Sequence, residues 1–231
     1  MIRAVLFDLD NTLTDFMHMK EVAIRAAVLG MVEMGLPMAA DEAQREIYRI
    51  YEQQGIEYQR VFDQFLEKTT GRVPPEMLAA GIIQYRRARD AALTPYRHVP
   101  MVLLELLRRG FRLAVVSDAP AVQAWQRLHQ LGFQHVFQPV VTFDDTGERK
   151  PSPRPFRRAL ELLDLPAAAV LMVGDWPERD MIGAAGVGMK TAFARYGDTF
   201  GTNLSGADFD LDDIQQLLPI LERLNAPHEA N

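Results

Sequence analysis

Residues 2–12 read IRAVLFDLDNT, an apolar run that ends in two aspartates. The run from Ile2 to Phe7 has the length and composition of a buried strand. Successive side chains of a strand alternate between its two faces, so Asp8 and Asp10 point the same way. Two carboxylates this close repel each other unless a cation or a shared proton lies between them. Such a pair, directly after a first parallel strand, lies where open α/β sheets place their ligand sites.

The composition excludes several classes of protein. The chain has 231 residues, of which 48% are hydrophobic and 24% charged, as in one large domain or one domain with a smaller insertion. A net charge of −6 argues against nucleic acid or an anionic membrane as a partner. The absence of cysteine excludes disulfides, thiolate catalysis and cysteine-type zinc sites. The pattern contains neither a secretory signal nor a membrane span, so the sequence predicts a cytoplasmic protein.

The stretch between about residues 16 and 95 has a helical pattern without a convincing strand. Tyr58, Val61, Phe62, Phe65 and Leu66 have the i, i+3, i+4, i+7, i+8 spacing of one apolar helix face. Four helices are predicted, over 18–35, 41–54, 57–69 and 75–91.

After Pro95 the pattern changes to short apolar strands that alternate with helices. This alternation predicts a parallel sheet covered on both faces, which is a doubly wound α/β fold. Strands are expected over 112–116, 140–143, 170–173, 191–194 and 208–211. Helices are expected over 99–109, 120–131, 153–164, 177–186 and 212–224, followed by a frayed tail over 225–231.

The first strand has no partner inside the helical stretch, so it is expected to pair with strands after residue 110. The sequence therefore predicts an α/β core domain, 1–15 and 96–231, with residues 16–95 inserted as a helical cap. An insertion at this point is expected to lie over the carboxyl end of the sheet.

Four polar signals follow predicted strands or occupy the loops after them. A doubly wound sheet brings such loops together at the point where its strand order reverses. Lys150 is notable because the chain has only four lysines against 21 arginines; Lys20 and Lys68 are interpreted as exposed. Together the signals offer a nucleophile, a proton donor, a hydroxyl, a cation and acids for a metal ion. They are Asp8 with Asp10, Ser117 with Asp118, Lys150 before Pro151, and Asp175 with Asp180.

In their order and their elements these motifs resemble those of the haloacid dehalogenase superfamily, with a helical cap after the first motif. The resemblance covers essentially the whole chain, and the stretch from Gly174 to Ala185 is especially close to the family pattern. The chain is also similar to a branch of small archaeal and bacterial phosphatases, some of which act on triose or sugar phosphates.

The resemblance implies a role for each residue in phosphate-ester hydrolysis. Asp8 would attack phosphorus and form an aspartyl phosphate. Asp10 would protonate the leaving oxygen and then take a proton from the hydrolytic water. Mg²⁺ would be held by the Asp8 carboxylate, the Asp10 main-chain carbonyl, Asp175 and waters.

The remaining motif residues would bind phosphate or support the metal site. Ser117 and Lys150 would bind phosphate oxygens, and Asp118 is a further candidate, although the family often has Asn there. Asp180 would hold waters of the metal. The expected partner is a small phosphorylated metabolite, and the chain is expected to be a monomer or a homodimer.

Two alternatives to a phosphatase are considered. A sugar phosphomutase of the same fold shares both acids of the first motif. A non-catalytic phospho-acceptor switch, similar to response-regulator receivers, also pairs acids with a hydroxyl and a lysine. Receivers carry their acceptor on a later strand and lack an 80-residue helical insertion, which disfavours the switch. Dehalogenation is disfavoured as well, because a halide leaving group needs no general acid at the position of Asp10.

Overall fold

The computed structural model describes residues 1–226; residues 227–231, most of the predicted tail, lie outside the described residues. The described residues divide into two compact units. The first combines Met1–Asp15 with the chain from Thr94 onward, and the second is Phe16–Leu93. Among residues 1–226, no helix is long and apolar enough to cross a membrane.

Within the described residues, the first unit contains one parallel sheet of six strands in the order β3-β2-β1-β4-β5-β6. The first strand pairs with β2 on one side and β4 on the other, so the strand order reverses at β1. This is the order of a doubly wound sheet, and the predicted fold class is confirmed. The strands are β1 Ala4–Phe7, β2 Arg112–Val116, β3 Val140–Val141, β4 Val170–Gly174, β5 Lys190–Ala194 and β6 Phe209–Leu211.

Helices cover both faces of this sheet. Alternate residues of each strand enter different cores: Val5 and Phe7 enter one, and Ala4 and Leu6 enter the other. This alternation is the period of two that a strand imposes, with both sets apolar because both faces are covered. The first core contains side chains of α5 Val99–Arg108, α6 Ala121–Gln130 and α10 Leu217–Asn225. The second contains side chains of α8 Pro153–Leu163 and α9 Ile182–Gly186.

The second unit is helical. Its core contains Val61, Phe62, Phe65 and Leu66 of the predicted apolar face, with Tyr58 packed against it. The apolar periodicity therefore identified the buried face of this helix. The four helices are α1 Phe16–Glu33, α2 Ala40–Gln54, α3 Val61–Thr70 and α4 Pro75–Ala92.

Two segments near the sheet differ from the predicted elements. The strand predicted over 140–143 stops at Val141, because Thr142 and Asp145 cap each other and start the short helix α7, Phe143–Thr146. The helix predicted over 177–186 begins instead with a π-helical turn, Pro177–Met181, before α9. Such turns are rare and are frequent at functional sites.

Candidate active site

The predicted site residues follow three adjacent strands of the sheet. Asp8 follows β1, Ser117 follows β2 and Asp175 follows β4. Since β1 lies between β2 and β4, their carboxyl ends form one edge of the sheet. The Asp8 N–H donates to the carbonyl of Val173 at 2.9 Å, which continues the β1–β4 pairing up to the first aspartate.

Lys150 connects these strand ends. Its side chain is buried, and Nζ donates to Asp8 Oδ1 at 2.5 Å and to Asp180 Oδ1 at 2.6 Å. A third, longer contact of 3.3 Å reaches the carbonyl of Val116, the last residue of β2. One ammonium group thus contacts the end of β2, the acid after β1 and the turn after β4. The structure brings Lys150 and the N-terminal aspartate together as the sequence predicted.

Three buried carboxylates lie beside this ammonium group. Asp8, Asp175 and Asp180, here called the acid cluster, each offer one oxygen, and these oxygens lie within 4.8 Å of one another. Thr12 Oγ1 donates to Asp175 Oδ1 at 3.1 Å, and the Trp176 N–H donates to Asp180 Oδ2 at 3.1 Å. Oxygen ligands in this number and spacing suit a hard divalent cation.

Gly174 explains how Asp180 reaches the cluster. A Cβ at residue 174 would lie 2.4 Å from a carboxylate oxygen of Asp180, so any larger residue would displace that acid. Asp180 lies in the π-helical turn Pro177–Met181, and its Oδ2 accepts a hydrogen bond from the Trp176 N–H just before that turn. Asp180 is fully buried, so it is not a surface acid.

Burial and mutual repulsion govern the ionisation of the cluster. Burial raises the pKa of Asp8, the Lys150 ammonium lowers it, and the Asp10 charge raises it, with a net rise. Burial, followed by the charges of Asp8 and Asp180, raises the pKa of Asp175 well above its usual value. The pKa of Asp180 rises to about 6, mainly through burial and against the effect of Lys150.

Lys150 stays charged in this environment. Burial alone lowers the pKa of its ammonium group, but the charges of Asp180 and Asp8 outweigh that effect and raise it. With all groups ionised, the three acids and the one lysine leave two negative charges in a buried space. A bound divalent cation would balance them.

Asp10 lies at the rim of this arrangement and has a partner that the sequence did not indicate. The Asp10 side chain is 22% exposed, and its Oδ2 accepts a hydrogen bond of 2.8 Å from Nη1 of Arg127. Arg127 lies on α6, where it is buried although it is charged. Arg127 lies three residues after Ala124 and next to Leu128, both of which face the core. A charged residue at a core-facing position of a helix was the signal that could have identified it.

The second motif contributes the buried hydroxyl of Ser117 and the carboxylate of Asp118, whose two oxygens both accept hydrogen bonds. Ser117 is buried, and its Oγ accepts the Ala119 N–H at 3.2 Å. Asp118 Oδ1 accepts the Lys150 N–H at 2.9 Å, and its Oδ2 accepts Nη1 of Arg179 at 3.0 Å. Through the first of these contacts Asp118 positions the Lys150 backbone, and its binding of phosphate stays a prediction.

Residues after β5 support the first motif, and sequence reasoning missed them. Tyr196 is partly buried, and its hydroxyl donates to the carbonyl of Thr12 at 2.9 Å. A Cβ at residue 197 would lie 1.6 Å from the Asn11 carbonyl oxygen, so only glycine fits this backbone contact. The signal in the sequence was a glycine three residues after the end of a predicted strand, at Gly197.

The interpretation of the other lysines was half correct. Lys68 is largely exposed, as expected, and pairs with Glu46 at 2.9 Å. Lys20 is buried in the helical unit, where Nζ lies 3.3 Å from the Tyr51 hydroxyl and over its ring. Its expected exposure was wrong, because a long side chain on an apolar helix can be covered by aromatic neighbours.

Known proteins similar to this chain agree with the geometry. Residues 2–188 match the model of the haloacid dehalogenase-like hydrolase family. A glyceraldehyde 3-phosphate phosphatase from Pyrococcus abyssi is 32% identical, over 99% of this chain and 98% of the relative. A protein of the same name from Methanothermobacter thermautotrophicus is 33% identical, over 96% of this chain and all of the relative.

Solved structures show the same fold. The crystal structure of a phosphatase of this superfamily from Thermococcus onnurineus matches with a TM-score of 0.69 at 24% identity, covering 95% of this chain and 98% of that one. The strand order, the motifs at the ends of β1, β2 and β4, and the family match lead to one conclusion. The chain belongs to the haloacid dehalogenase-like hydrolase family.

Proposed function

We propose that this chain is a Mg²⁺-dependent phosphatase that hydrolyses small phosphomonoesters through an aspartyl phosphate on Asp8. The observation that carries the proposal is the pairing of Asp8 with Lys150 inside a cluster of buried acids. An acid at this place can attack phosphorus only if positive charge offsets the repulsion between carboxylate and phosphate. Lys150 supplies one such charge, and a cation at the acid cluster would supply the rest.

The acid cluster fits Mg²⁺. Its carboxylate oxygens lie within 4.8 Å of one another, their pKa values are raised by burial, and they leave an excess of negative charge. Mg²⁺ prefers oxygen ligands and keeps part of its water shell. Asp8 and Asp175 would hold the ion directly, with the predicted Asp10 carbonyl, and Asp180 would orient its waters. The bound ion would polarise the phosphoryl oxygens and neutralise their charge.

The chain's own residues divide the chemistry between them. Asp8 attacks phosphorus as Asp10 gives its proton to the leaving oxygen, which frees the alcohol. Asp10 then takes a proton from water as the water attacks the aspartyl phosphate, which releases inorganic phosphate and regenerates both acids. Ser117 is expected to bind a phosphoryl oxygen at the end of β2, and Lys150 neutralises the nucleophile and the transferred group.

A triose phosphate is the first substrate to test. The relatives that align over nearly the whole chain bear the name glyceraldehyde 3-phosphate phosphatase. Identity of 32–33% supports a shared reaction class and makes the same substrate a hypothesis for this chain. A panel of triose, sugar and nucleoside monophosphates, ranked by kcat/KM, would test it. A preference for hexose or nucleoside monophosphates would contradict the triose assignment and leave the phosphatase proposal standing.

The alternatives make different predictions in the same assay. A sugar phosphomutase would require a sugar bisphosphate for turnover and would release little inorganic phosphate. A phospho-acceptor switch would become phosphorylated once and would not turn over. Steady release of inorganic phosphate without a bisphosphate would contradict both.

The experiment that tests the proposal compares the wild type with Asp8→Asn. The wild type is expected to release phosphate from p-nitrophenyl phosphate with Mg²⁺ and to stop when EDTA removes the ion. Loss of the nucleophile should lower kcat on the order of 10³-fold or more. The matched control is Asp212→Asn, an aspartate whose side chain is 76% exposed. Its activity should equal that of the wild type, and thermal melts should show that both variants fold. An active Asp8→Asn variant would remove Asp8 from the nucleophilic role.

A further inference from the structure

Arg127 is a buried charge that has no role in the proposed chemistry of Asp8, Asp10, Ser117 and Lys150. It lies in α6 and is 7% exposed, while its neighbours in the same helix, Ala124 and Leu128, are fully buried in the core. Arginine is rarely buried this deeply unless it is paired, because removing a charge from water costs several kcal/mol. A leucine or methionine at this position would satisfy packing alone, so the guanidinium group needs another explanation.

The partner of Arg127 provides one. Nη1 donates to Asp10 Oδ2 at 2.8 Å, and the two residues are 117 positions apart in the chain. Asp10 is the proposed proton donor, and rotation about its Cβ–Cγ bond sets the directions of its two carboxyl oxygens. A planar guanidinium group that holds Oδ2 also determines where Oδ1 points.

The same contact determines which oxygen carries the proton. Protonating Oδ2 would weaken the hydrogen bond that this oxygen accepts from the cationic guanidinium group, so the neutral acid favours its proton on Oδ1. A general acid is effective only when its proton lies within hydrogen-bond reach of the leaving atom. The contact therefore orients both the carboxyl plane and the proton.

We propose that Arg127 is the positioning residue of the general acid: it holds Asp10 Oδ2 so that Oδ1 delivers its proton to the leaving oxygen. This rests on the proposed phosphatase function. As the bond from Asp8 to phosphorus forms and the ester P–O bond breaks, the electron pair stays on the leaving oxygen. The Oδ1 proton of Asp10 moves to that oxygen and yields a neutral alcohol. Oδ1 later regains a proton from the attacking water.

The test uses two substrates that differ in their need for an acid. The leaving group of glycerol 2-phosphate is a strongly basic alkoxide that needs a proton. The leaving group of 2,4-dinitrophenyl phosphate is a stable phenolate that needs none. Arg127→Met should lower kcat/KM for glycerol 2-phosphate about 10-fold or more, which is part of the roughly 10²–10⁴-fold acceleration that a general acid supplies. The kcat/KM for 2,4-dinitrophenyl phosphate should change less than about threefold, because its leaving group needs no proton. Equal losses on both substrates, or no loss on either, would overturn the proposal.

Two further variants separate positioning from general damage. Arg109→Met is the control, since Arg109 is a surface arginine paired with Glu105 and Glu222; both substrates should be turned over as by the wild type. In the Asp10→Asn background, Arg127→Met should cause little additional loss on glycerol 2-phosphate. Independent, multiplicative losses would mean that Arg127 does not act through Asp10.

A structural readout distinguishes failure of this proposal from failure of the proposed function. Crystal structures of the wild type and Arg127→Met should show the Asp10 carboxyl group turned to a different rotamer in the variant. An unchanged Asp10 would refute positioning whatever the enzyme's activity, whereas a wild type inactive on both esters would refute the phosphatase proposal. If Arg127→Met does not fold, Arg127→Lys keeps the buried charge without the planar fork, and the same substrate-selective loss is expected.

Discussion

At the scale of single residues, Lys150 determines how the acids of the site coexist. Its ammonium group has three N–H donors, and the structure places three acceptors around it, on Asp8, Asp180 and Val116. A flexible stem and a compact charge let it serve acceptors that lie in different directions, which a planar guanidinium group could not do. The repulsion between Asp8 and Asp180 is thereby offset before any metal ion binds.

Removing this ammonium group should destabilise the metal-free protein in a pH-dependent way. Lys150→Met leaves buried carboxylates without their cation, a change that typically costs about 3–5 kcal/mol of unfolding free energy. The pKa of Asp180, already about 6, would rise further. A carboxyl group whose pKa is raised in the folded state destabilises the fold when it is ionised, and this destabilisation disappears as pH falls below that pKa. The loss of unfolding free energy in Lys150→Met should therefore be larger at pH 8 than at pH 5.

Urea denaturation in EDTA at both pH values measures this difference. Lys68→Met is the matched control, because Lys68 is exposed and its ion pair with Glu46, screened by water, should contribute little to stability. A loss for Lys150→Met of equal size at pH 5 and pH 8 would show that packing, not charge, is responsible.

At the scale of elements, the close packing of α9 against the Lys150 loop keeps the site together. Gly183 of α9 faces Phe156 of α8 and the backbone of Pro151, the residue after Lys150. A Cβ there would lie 2.3 Å from the Phe156 ring and 3.2 Å from Pro151 Cα. The absence of a side chain at residue 183 therefore lets the helix after Asp180 approach the loop that carries Lys150.

Gly183→Ala should disturb this packing. The ring of Phe156 is buried and cannot move without displacing its neighbours, so overpacking is expected to cost about 1–3 kcal/mol. Gly186→Ala in the same helix is the control: a Cβ there meets nothing within 4 Å, and the change should be neutral or stabilising by about 0.4–1 kcal/mol. Thermal melts compare the two variants, and equal melting temperatures would contradict the packing argument.

At the scale of the whole molecule, folding itself assembles the acid cluster. Asp8 lies at the end of β1, whereas Asp175 and Asp180 follow β4, so these acids become neighbours only when the sheet forms. A ligand that binds the folded cluster and not the unfolded chain stabilises the fold by mass action. Metal binding should therefore be visible as thermal stability.

Mg²⁺ should raise the melting temperature, and more so at pH 8 than at pH 5. Burial raises the pKa of Asp175 well above its usual value and that of Asp180 to about 6, so at low pH protons compete with the ion at Asp175 and reduce the negative charge of the cluster. At a concentration 100 times the Kd the gain would be about 2.7 kcal/mol. Differential scanning fluorimetry with Mg²⁺ and with EDTA measures it. Asp175→Asn should lose most of the Mg²⁺-dependent increase; an increase that is the same at both pH values would argue against binding at the acid cluster.

The sheet and the places of the motifs could be predicted because each is encoded within a few neighbouring residues. A strand buried on both faces appears as an apolar run such as Ile2–Phe7, and a polar residue at its end marks the edge of the sheet. The convergence of Asp8 and Asp175 follows from parallel topology, because each directly follows one of two adjacent strands. Boundaries were less certain where short-range capping competes with strand pairing, as at Thr142.

The sequence alone thus determined the α/β class, the family and the acids that gather at one edge of the sheet. Only the tertiary structure decided which polar groups the charged side chains contact: Arg127 contacts Asp10, Asp118 contacts the Lys150 backbone, and Lys20 contacts Tyr51. Local patterns describe neighbours two to four residues apart, where the periods of strand and helix apply. A hydrogen bond between residues that are 31, 32 or 117 positions apart, as in these three pairs, depends on final distances and directions, which no local period contains.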